Sequence, residues 1–201
     1  KGKHQIMKIG VFGGTFNPPH EGHKKLALEF MSRLSLDLLL IVPTYIPPHK
    51  LSDFLADGAD RLEMCRLTFL PLGEKVSVSD MELRRHGKSY TVDTLRELKE
   101  RYPKDELLFL MGSDMLLSFH KWREPDKILD FAVVCAAPRD SSGVRKLEEY
   151  VERHYPNRKD RFLIMDFSPI EISSTEVRDS FDETKVEKDV AAYIKKRGLY
   201  T

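Results

Sequence analysis

The chain predicts a doubly wound α/β fold: one mostly parallel sheet with helices on both faces, in a single domain. Two observations carry this. Short apolar runs alternate with amphipathic stretches along the whole length, and 201 residues at 41% hydrophobic content suit one compact core. A parallel connection needs a crossover long enough to hold a helix, so the alternation itself selects the type of sheet. Open sheets of this kind bind ligands beyond the carboxyl ends of their strands, which is where chemistry is sought below.

Taken in order, residues 1–6 lack a hydrophobic pattern and read as an extension, leaving 7–201 as the domain. Residues 9–12 form a buried strand ending at Gly13-Gly14. Residues 24–34 place Leu26, Phe30 and Leu34 on one helical stripe, with Ala27 and Met31 alongside. Residues 38–42 are a second strand, closed by Pro43. Further strands are expected at 76–78, 107–111, 131–136 and 162–165, and helices at 61–70, 91–101, 144–154 and 190–197. Asp60 is the expected cap of the helix at 61–70, and Gly198 closes the last helix. Residues 138–143 read as a polar loop inside the domain.

Composition excludes several classes. With 33 basic against 32 acidic side chains there is no standing charge for gripping a nucleic acid polymer or an anionic membrane. No apolar stretch approaches the roughly 20 residues needed to cross a bilayer, and the start lacks a signal-peptide pattern. Cys65 and Cys135 stand singly inside apolar runs, which reads as two buried thiols in a reducing, cytoplasmic setting. Charge is uneven along the chain: residues 1–50 carry an excess of +4, 51–140 of −3 and 141–201 of 0. The asymmetry points weakly to an anion near the N-terminal segment.

The first strand runs into Gly13-Gly14-Thr15-Phe16-Asn17-Pro18-Pro19-His20-Glu21-Gly22-His23. Two glycines let the backbone turn sharply and let a ligand approach, and the following helix start presents unpaired N–H groups suited to phosphate. Neither the dinucleotide fingerprint nor a P-loop can be placed on it. With a helix beginning near Pro19, His20 and His23 face one ligand from its first turn and can donate hydrogen bonds to phosphate oxygens. His-Glu-x-His lacks the spacing of the metalloprotease helix and no third ligand is evident, so no metal site is expected. Far along the chain, Ser173, Ser174 and Thr175 before Glu176 form a capping segment, and Arg178 lies one turn inside the helix they open. A guanidinium there can hold two phosphate oxygens at once.

Gly-Gly-Thr-Phe-Asn-Pro-Pro-His-x-Gly-His resembles the signature of the HxGH nucleotidyltransferase superfamily, in the form found in bacterial nicotinate mononucleotide adenylyltransferases. Ile172-Ser173-Ser174-Thr175-Glu176-Val177-Arg178 resembles that superfamily's second motif. The closing stretch, Val190-Ala191-Ala192-Tyr193-Ile194 with Gly198-Leu199-Tyr200, extends the resemblance over residues 7–200. It implies a Rossmann-like fold and transfer of AMP from ATP to the 5′-phosphate of nicotinate mononucleotide, with Mg²⁺ arriving on the ATP. It also implies His20, His23 and Arg178 as the catalytic set. Gly13, Gly14, Thr15, Phe16, Ser174 and Thr175 would join them around ATP, and Asn17 would serve the acceptor.

Three further segments follow strands or open helices. Thr44-Tyr45-Ile46-Pro47-Pro48-His49-Lys50 is stiffened by prolines and ends in cationic groups; its residues alone also fit a solvated loop, while the resemblance implies a loop closing over the phosphates through Lys50. Ser89-Tyr90-Thr91 opens a helix whose N–H groups can meet the carboxylate of nicotinate. Trp122, the single tryptophan, stands in a polar stretch without a periodic core partner. Partial core packing and stacking on a pyridine ring both fit it, and the resemblance favours stacking. Gly112-Ser113-Asp114 ends a strand with small residues and a carboxylate. Asp114 could cap the next helix or meet ribose hydroxyls, and the resemblance implies the adenosine region. Pantetheine-phosphate and nicotinamide-mononucleotide adenylyltransferases, a non-catalytic nucleotide sensor and a hydride-transferring dehydrogenase are the alternatives. The sequence is compatible with a homo-oligomer.

Overall fold

Six strands build one parallel sheet in the computed structural model, which describes residues 5–47, 54–138, 143–167, 172–180 and 182–200. They are β1 (Lys8–Gly14), β2 (Leu38–Pro43), β3 (Val76–Val78), β4 (Glu106–Gly112), β5 (Ala132–Ala137) and β6 (Phe162–Ile164), in the order β3-β2-β1-β4-β5-β6. The order reverses between β1 and β4, which makes their carboxyl ends a crevice where open sheets receive ligands. The expected Rossmann-like, doubly wound arrangement is therefore what forms.

Strand periodicity divides the core. Side chains alternate across a strand, so Ile9 and Val11, Leu40 and Val42, and Leu107, Phe109 and Met111 pack on one face. Phe12, Leu39, Ile41, Leu108 and Leu110 pack on the other. The second face is covered by α1 (Glu21–Leu34), through Ala27, Phe30 and Leu34, and by α2 (Gly58–Phe69), through Cys65 and Phe69. The first face takes α4 (Thr91–Arg101), α6 (Pro125–Phe131) and α7 (Gly143–His154), with α3 (Met81–Arg85) and α5 (Ser113–Leu117) between them. A satellite cluster of Met64, Val177, Val186, Val190, Ala191 and Ile194 seats α8 (Ser174–Ser180) and α9 (Lys188–Arg197) on the outer side of α2. This cluster brings the second motif back to the first. Both cysteines are buried free thiols, and among the described residues no helix is long and apolar enough to cross a membrane.

Three sequence expectations are corrected. Asp60 does not cap α2, because the helix starts at Gly58 with Asp57 in the capping position. Asp60 is instead buried and accepts hydrogen bonds from Tyr193 Oη at 2.8 Å and Arg197 Nε at 3.0 Å, clamping α9 to α2. Phe131 ends α6 and β5 begins at Ala132. The helices α3, α5 and α6 have five, five and seven residues, too short to show a periodic stripe in sequence. Residues 139–142 of the expected polar loop lie outside the described residues.

Close packing at the centre of β1 depends on a missing side chain. A Cβ at Gly10 would lie 2.5 Å from Leu36 Cδ1 and 3.2 Å from the Cδ1 atoms of Leu110 and Leu39, all buried. Gly10→Ala is expected to destabilise the fold by about 1–3 kcal/mol through overpacking. At Gly112 a Cβ would meet nothing within 4 Å, so Gly112→Ala is expected to stay within about 0.5 kcal/mol of the parent. Urea denaturation of both variants checks the contrast.

Candidate active site

β1 delivers the chain to the turn at Thr15–Pro19, and the turn is held from several directions. Phe16 takes a left-handed conformation, φ 48°, which costs a non-glycine residue roughly 1–2 kcal/mol. Burial of its ring against Phe12, Phe69 and His23 offsets that cost. Gly14 is small for the same reason, because a Cβ there would come within 3.0 Å of the Phe16 ring. Asn17 is 3% exposed: Nδ2 donates to Phe54 O at 2.8 Å, and Oδ1 accepts from Ala56 N at 3.0 Å and Tyr200 Oη at 2.7 Å. Its amide thus joins the turn to the entry of α2 and to the C-terminal segment.

The helix start after the turn is built by the two histidines. His20 is the N-cap of α1, and its Nδ1 accepts from His23 N at 3.3 Å. In return, His23 Nδ1 accepts from His20 N at 3.2 Å, and the rings stack with centroids 3.6 Å apart. This is a capping box with imidazoles in place of Ser and Glu. Since both Nδ1 atoms accept, each neutral ring carries its proton on Nε2, leaving a donor for a ligand. Burial pushes the His20 pKa down to about 4 against a partial opposing pull from Glu176. Burial also holds His23 well below its usual value, and His20 adds to the effect. At neutral pH the pair is therefore uncharged.

The second motif meets this turn directly. Ser173 Oγ accepts from Glu176 N at 3.1 Å, so the expected capping segment forms. Ser174 Oγ donates to Pro18 O at 2.9 Å, and Arg178 Nη1 donates to Asn17 O at 2.5 Å. Arg178 Nη2 donates to Thr175 Oγ1 at 3.2 Å. These bonds use two of the five guanidinium donors. Residues more than 150 positions apart thus share one site. On the other side of the crevice, Gly112 ends β4 as the N-cap of α5, with Ser113 buried and Asp114 exposed inside the first turn. Asp114 is not the residue that caps α5.

Before the start of α4, Ser89 is buried: its Oγ accepts from Tyr45 N at 2.9 Å and its N donates to Ile46 O at 3.0 Å. Thr91 is the first residue of α4 and Tyr90 its N-cap. Trp122 takes the partial core packing that its residues left open: its half-buried ring lies 5.4 Å from Phe119 and 6.1 Å from Phe109, centroid to centroid. Phe119 stands three positions earlier in a 3₁₀ turn, a spacing a helical or strand template does not flag. Next to it, the Arg123 guanidinium lies 4.7 Å from the Tyr90 ring centroid, which ties the tryptophan segment to the α4 start. Lys50 and His49 lie outside the described residues. Among the described residues no group of three or more His, Cys, Asp or Glu could hold a metal ion.

A family model described as cytidylyltransferase-like matches residues 11–180. The nicotinate-nucleotide adenylyltransferase of Bacillus subtilis (strain 168) is 36% identical over 200 residues, covering 97% of this chain and 99% of the relative. This chain belongs to the nicotinate-nucleotide adenylyltransferase family. Membership makes it a nucleotidyltransferase enzyme. Two solved structures of Plasmodium falciparum nicotinic acid mononucleotide adenylyltransferase, complexed with APC and with NaAD, share the fold. Their TM-scores are 0.75 and 0.76 at 18% and 19% identity, each covering 96% of this chain and 97% of that one.

The residue that sequence reasoning missed in this nucleotidyltransferase is Arg61. It is 1% exposed, and its guanidinium donates to Thr15 O at 2.9 Å, Thr44 O at 2.6 Å, Tyr45 O at 3.1 Å and Ala56 O at 2.9 Å. Burial lowers its pKa, and Cys65, Tyr200, Asp57 and Glu82 act in the opposite direction. A signal was present: Arg61, Cys65 and Thr68 share the buried stripe of α2 at positions i, i+4 and i+7. An arginine on an apolar stripe announces a polar task inside the core.

Two predictions follow from this geometry. Arg61→Met leaves four backbone carbonyls without their donor and is expected to cost at least about 3 kcal/mol in urea denaturation. The second concerns acid. The unfolded chain protonates its histidines near 6.5 whereas folded His20 does so near 4, so the unfolded state binds more protons between those values. Stability is complete above about 6.5 and is lost as pH falls toward about 4. His20→Asn keeps a capping acceptor but has no proton site, so its stability is expected to fall less steeply over that window. Equal slopes for parent and variant would contradict the buried neutral pair.

Proposed function

We propose that this chain transfers AMP from ATP to the 5′-phosphate of nicotinate mononucleotide, giving nicotinate adenine dinucleotide and pyrophosphate in NAD biosynthesis. An oxygen of the acceptor phosphate attacks the α-phosphorus of ATP. The bond from that phosphorus to the bridging oxygen breaks, and pyrophosphate leaves with the electron pair. A phosphate monoester is already anionic near neutral pH, with a second pKa of about 6, so no general base is needed. Catalysis then rests on positioning and on neutralising charge as it moves to the leaving group.

The observation that carries this reading is the reciprocal imidazole cap at the β1–β4 crevice with Arg178 bonded to the same turn. His20 and His23 would direct Nε2–H donors at the α- and β-phosphates. Arg178 and Lys50 would neutralise the departing pyrophosphate, with Ser174 and Thr175 beside them. Mg²⁺ enters as part of the substrate, held by triphosphate oxygens and water. Gly13, Gly14, Thr15 and Phe16 shape the turn that receives the nucleotide, and Gly112 and Asp114 flank the adenosine end. Asn17 serves the acceptor by fixing the turn. The start of α4 at Ser89, Tyr90 and Thr91 would receive the nicotinate carboxylate, with Trp122 against the pyridine ring. The name of the Bacillus subtilis relative supports nicotinate over other acceptors. The two buried free thiols, Cys65 and Cys135, fit a reducing, cytoplasmic setting for the reaction.

Pyrophosphate release from ATP and Mg²⁺, with nicotinate mononucleotide, its amide or pantetheine phosphate as the sole acceptor, tests the reading. Release is expected to be fastest with nicotinate mononucleotide, and no release with any acceptor would favour a nucleotide sensor. His23→Ala is expected to lose at least about 3 kcal/mol of transition-state stabilisation, roughly a hundredfold in rate, with the fold retained. Near-normal turnover of that variant would remove His23 from the catalytic set.

A further inference from the structure

We propose that Glu82 is a positioning residue for the acceptor: it fixes the Ser89-Tyr90-Thr91 start of α4 and thereby sets affinity for nicotinate mononucleotide and not for ATP. The proposal rests on the adenylyltransferase reading above. Glu82 stands in α3 and is 5% exposed. A carboxylate at that depth is costly unless donors meet it, so its surroundings report what it holds. Thr94 Oγ1, one turn into α4, donates to Glu82 Oε1 at 2.5 Å. Arg85 Nη2 donates to Thr94 Oγ1 at 2.8 Å, polarising that hydroxyl toward the carboxylate. The Ser89 side chain also favours the charged form of Glu82.

Ser89 is the link to the acceptor edge. Its Oγ is already the acceptor for Tyr45 N, so its single proton is the group available to Glu82. With Ser89 N bonded to Ile46 O and an isolated bridge between Ile46 and Lys88, one side chain at Ser89 joins the loop after β2 to the helix start. Glu82 therefore acts on both sides of Tyr90: it accepts the Thr94 hydroxyl after it, and Ser89 before it favours its charged form. Tyr90 in turn carries Arg123 on its ring, beside Trp122. A chain of contacts thus runs from one buried carboxylate to the α4 start and the tryptophan segment, both assigned to the acceptor. None of its links reaches His20, His23 or Arg178. Burial raises the pKa of Glu82, and the Thr94 hydrogen bond, the Ser89 side chain and the charges of Arg85 and Arg61 oppose the rise.

Steady-state pyrophosphate release with each substrate varied in turn tests the proposal on Glu82→Ala, Glu82→Gln and Thr94→Val. Glu82→Ala is expected to raise KM for nicotinate mononucleotide at least about tenfold, with KM for ATP within about twofold and kcat within about threefold. Glu82→Gln keeps an acceptor for Thr94 and is expected to show a smaller rise. Thr94→Val removes the hydroxyl that donates to Glu82 and gives the same selective readout if Glu82→Ala does not fold. Both KM values rising together, kcat falling at an unchanged acceptor KM, or no change in any constant would overturn the assignment. Turnover of the parent enzyme with nicotinate mononucleotide tests the function itself, and the ratio of variant to parent tests Glu82. An inactive parent would remove the function and this assignment with it.

Discussion

Four backbone carbonyl oxygens converge on one buried guanidinium, and the geometry of the Thr15–Pro19 turn depends on it. Arg61 reaches the turn after β1 through Thr15, the loop after β2 through Thr44 and Tyr45, and the entry of its own helix through Ala56. These segments follow two adjacent strands and open α2, and Arg61 bonds to all three. A planar group with five donors in fixed directions can satisfy all of them at once, which a lysine ammonium cannot do. With the turn held there, Phe16 keeps its left-handed conformation and presents its ring edge to His23, 5.1 Å away between centroids. The site is assembled from the core outward.

Charge is managed by locality. The chain carries 33 basic and 32 acidic side chains, yet it handles two anionic substrates. The buried imidazoles are neutral at rest, so they add no repulsion to the packed helix start and offer directed N–H donors. Permanent cations stand at the rim, where Arg178 is bonded to Asn17 O without being buried. Nearby acids are themselves neutralised: Glu176 pairs with Lys185, and Glu187 with Lys24. A site-sized set of donors therefore suffices without a basic surface.

Much of this architecture is legible in the sequence. Residues 91–101 form α4 as expected, and the apolar runs become β1 to β6 within a residue or two of the expected bounds. The motif around His20 and His23 is legible because glycine, proline and histidine each constrain the backbone or the chemistry locally. Arg61, Asp60 and Glu82 are not, because their roles come from partners far away in the chain. Asp60 looks like a cap and is a clamp on Tyr193 and Arg197, 133 and 137 positions on. Trp122 looks unpartnered because Phe109 comes from another strand and Phe119 from a 3₁₀ turn. Local pattern predicts elements, whereas buried polar groups that join them follow from topology.

The central claim is that the two imidazoles proposed to meet phosphate are in place, and uncharged, before substrate arrives. Nitrogen-15 NMR of the histidine rings in the protein without nucleotide, at neutral pH, tests it most directly. The account predicts that His20 and His23 both appear as neutral rings protonated on Nε2. Rings that are cationic, or protonated on Nδ1, would contradict the reciprocal cap and the preorganised site built on it.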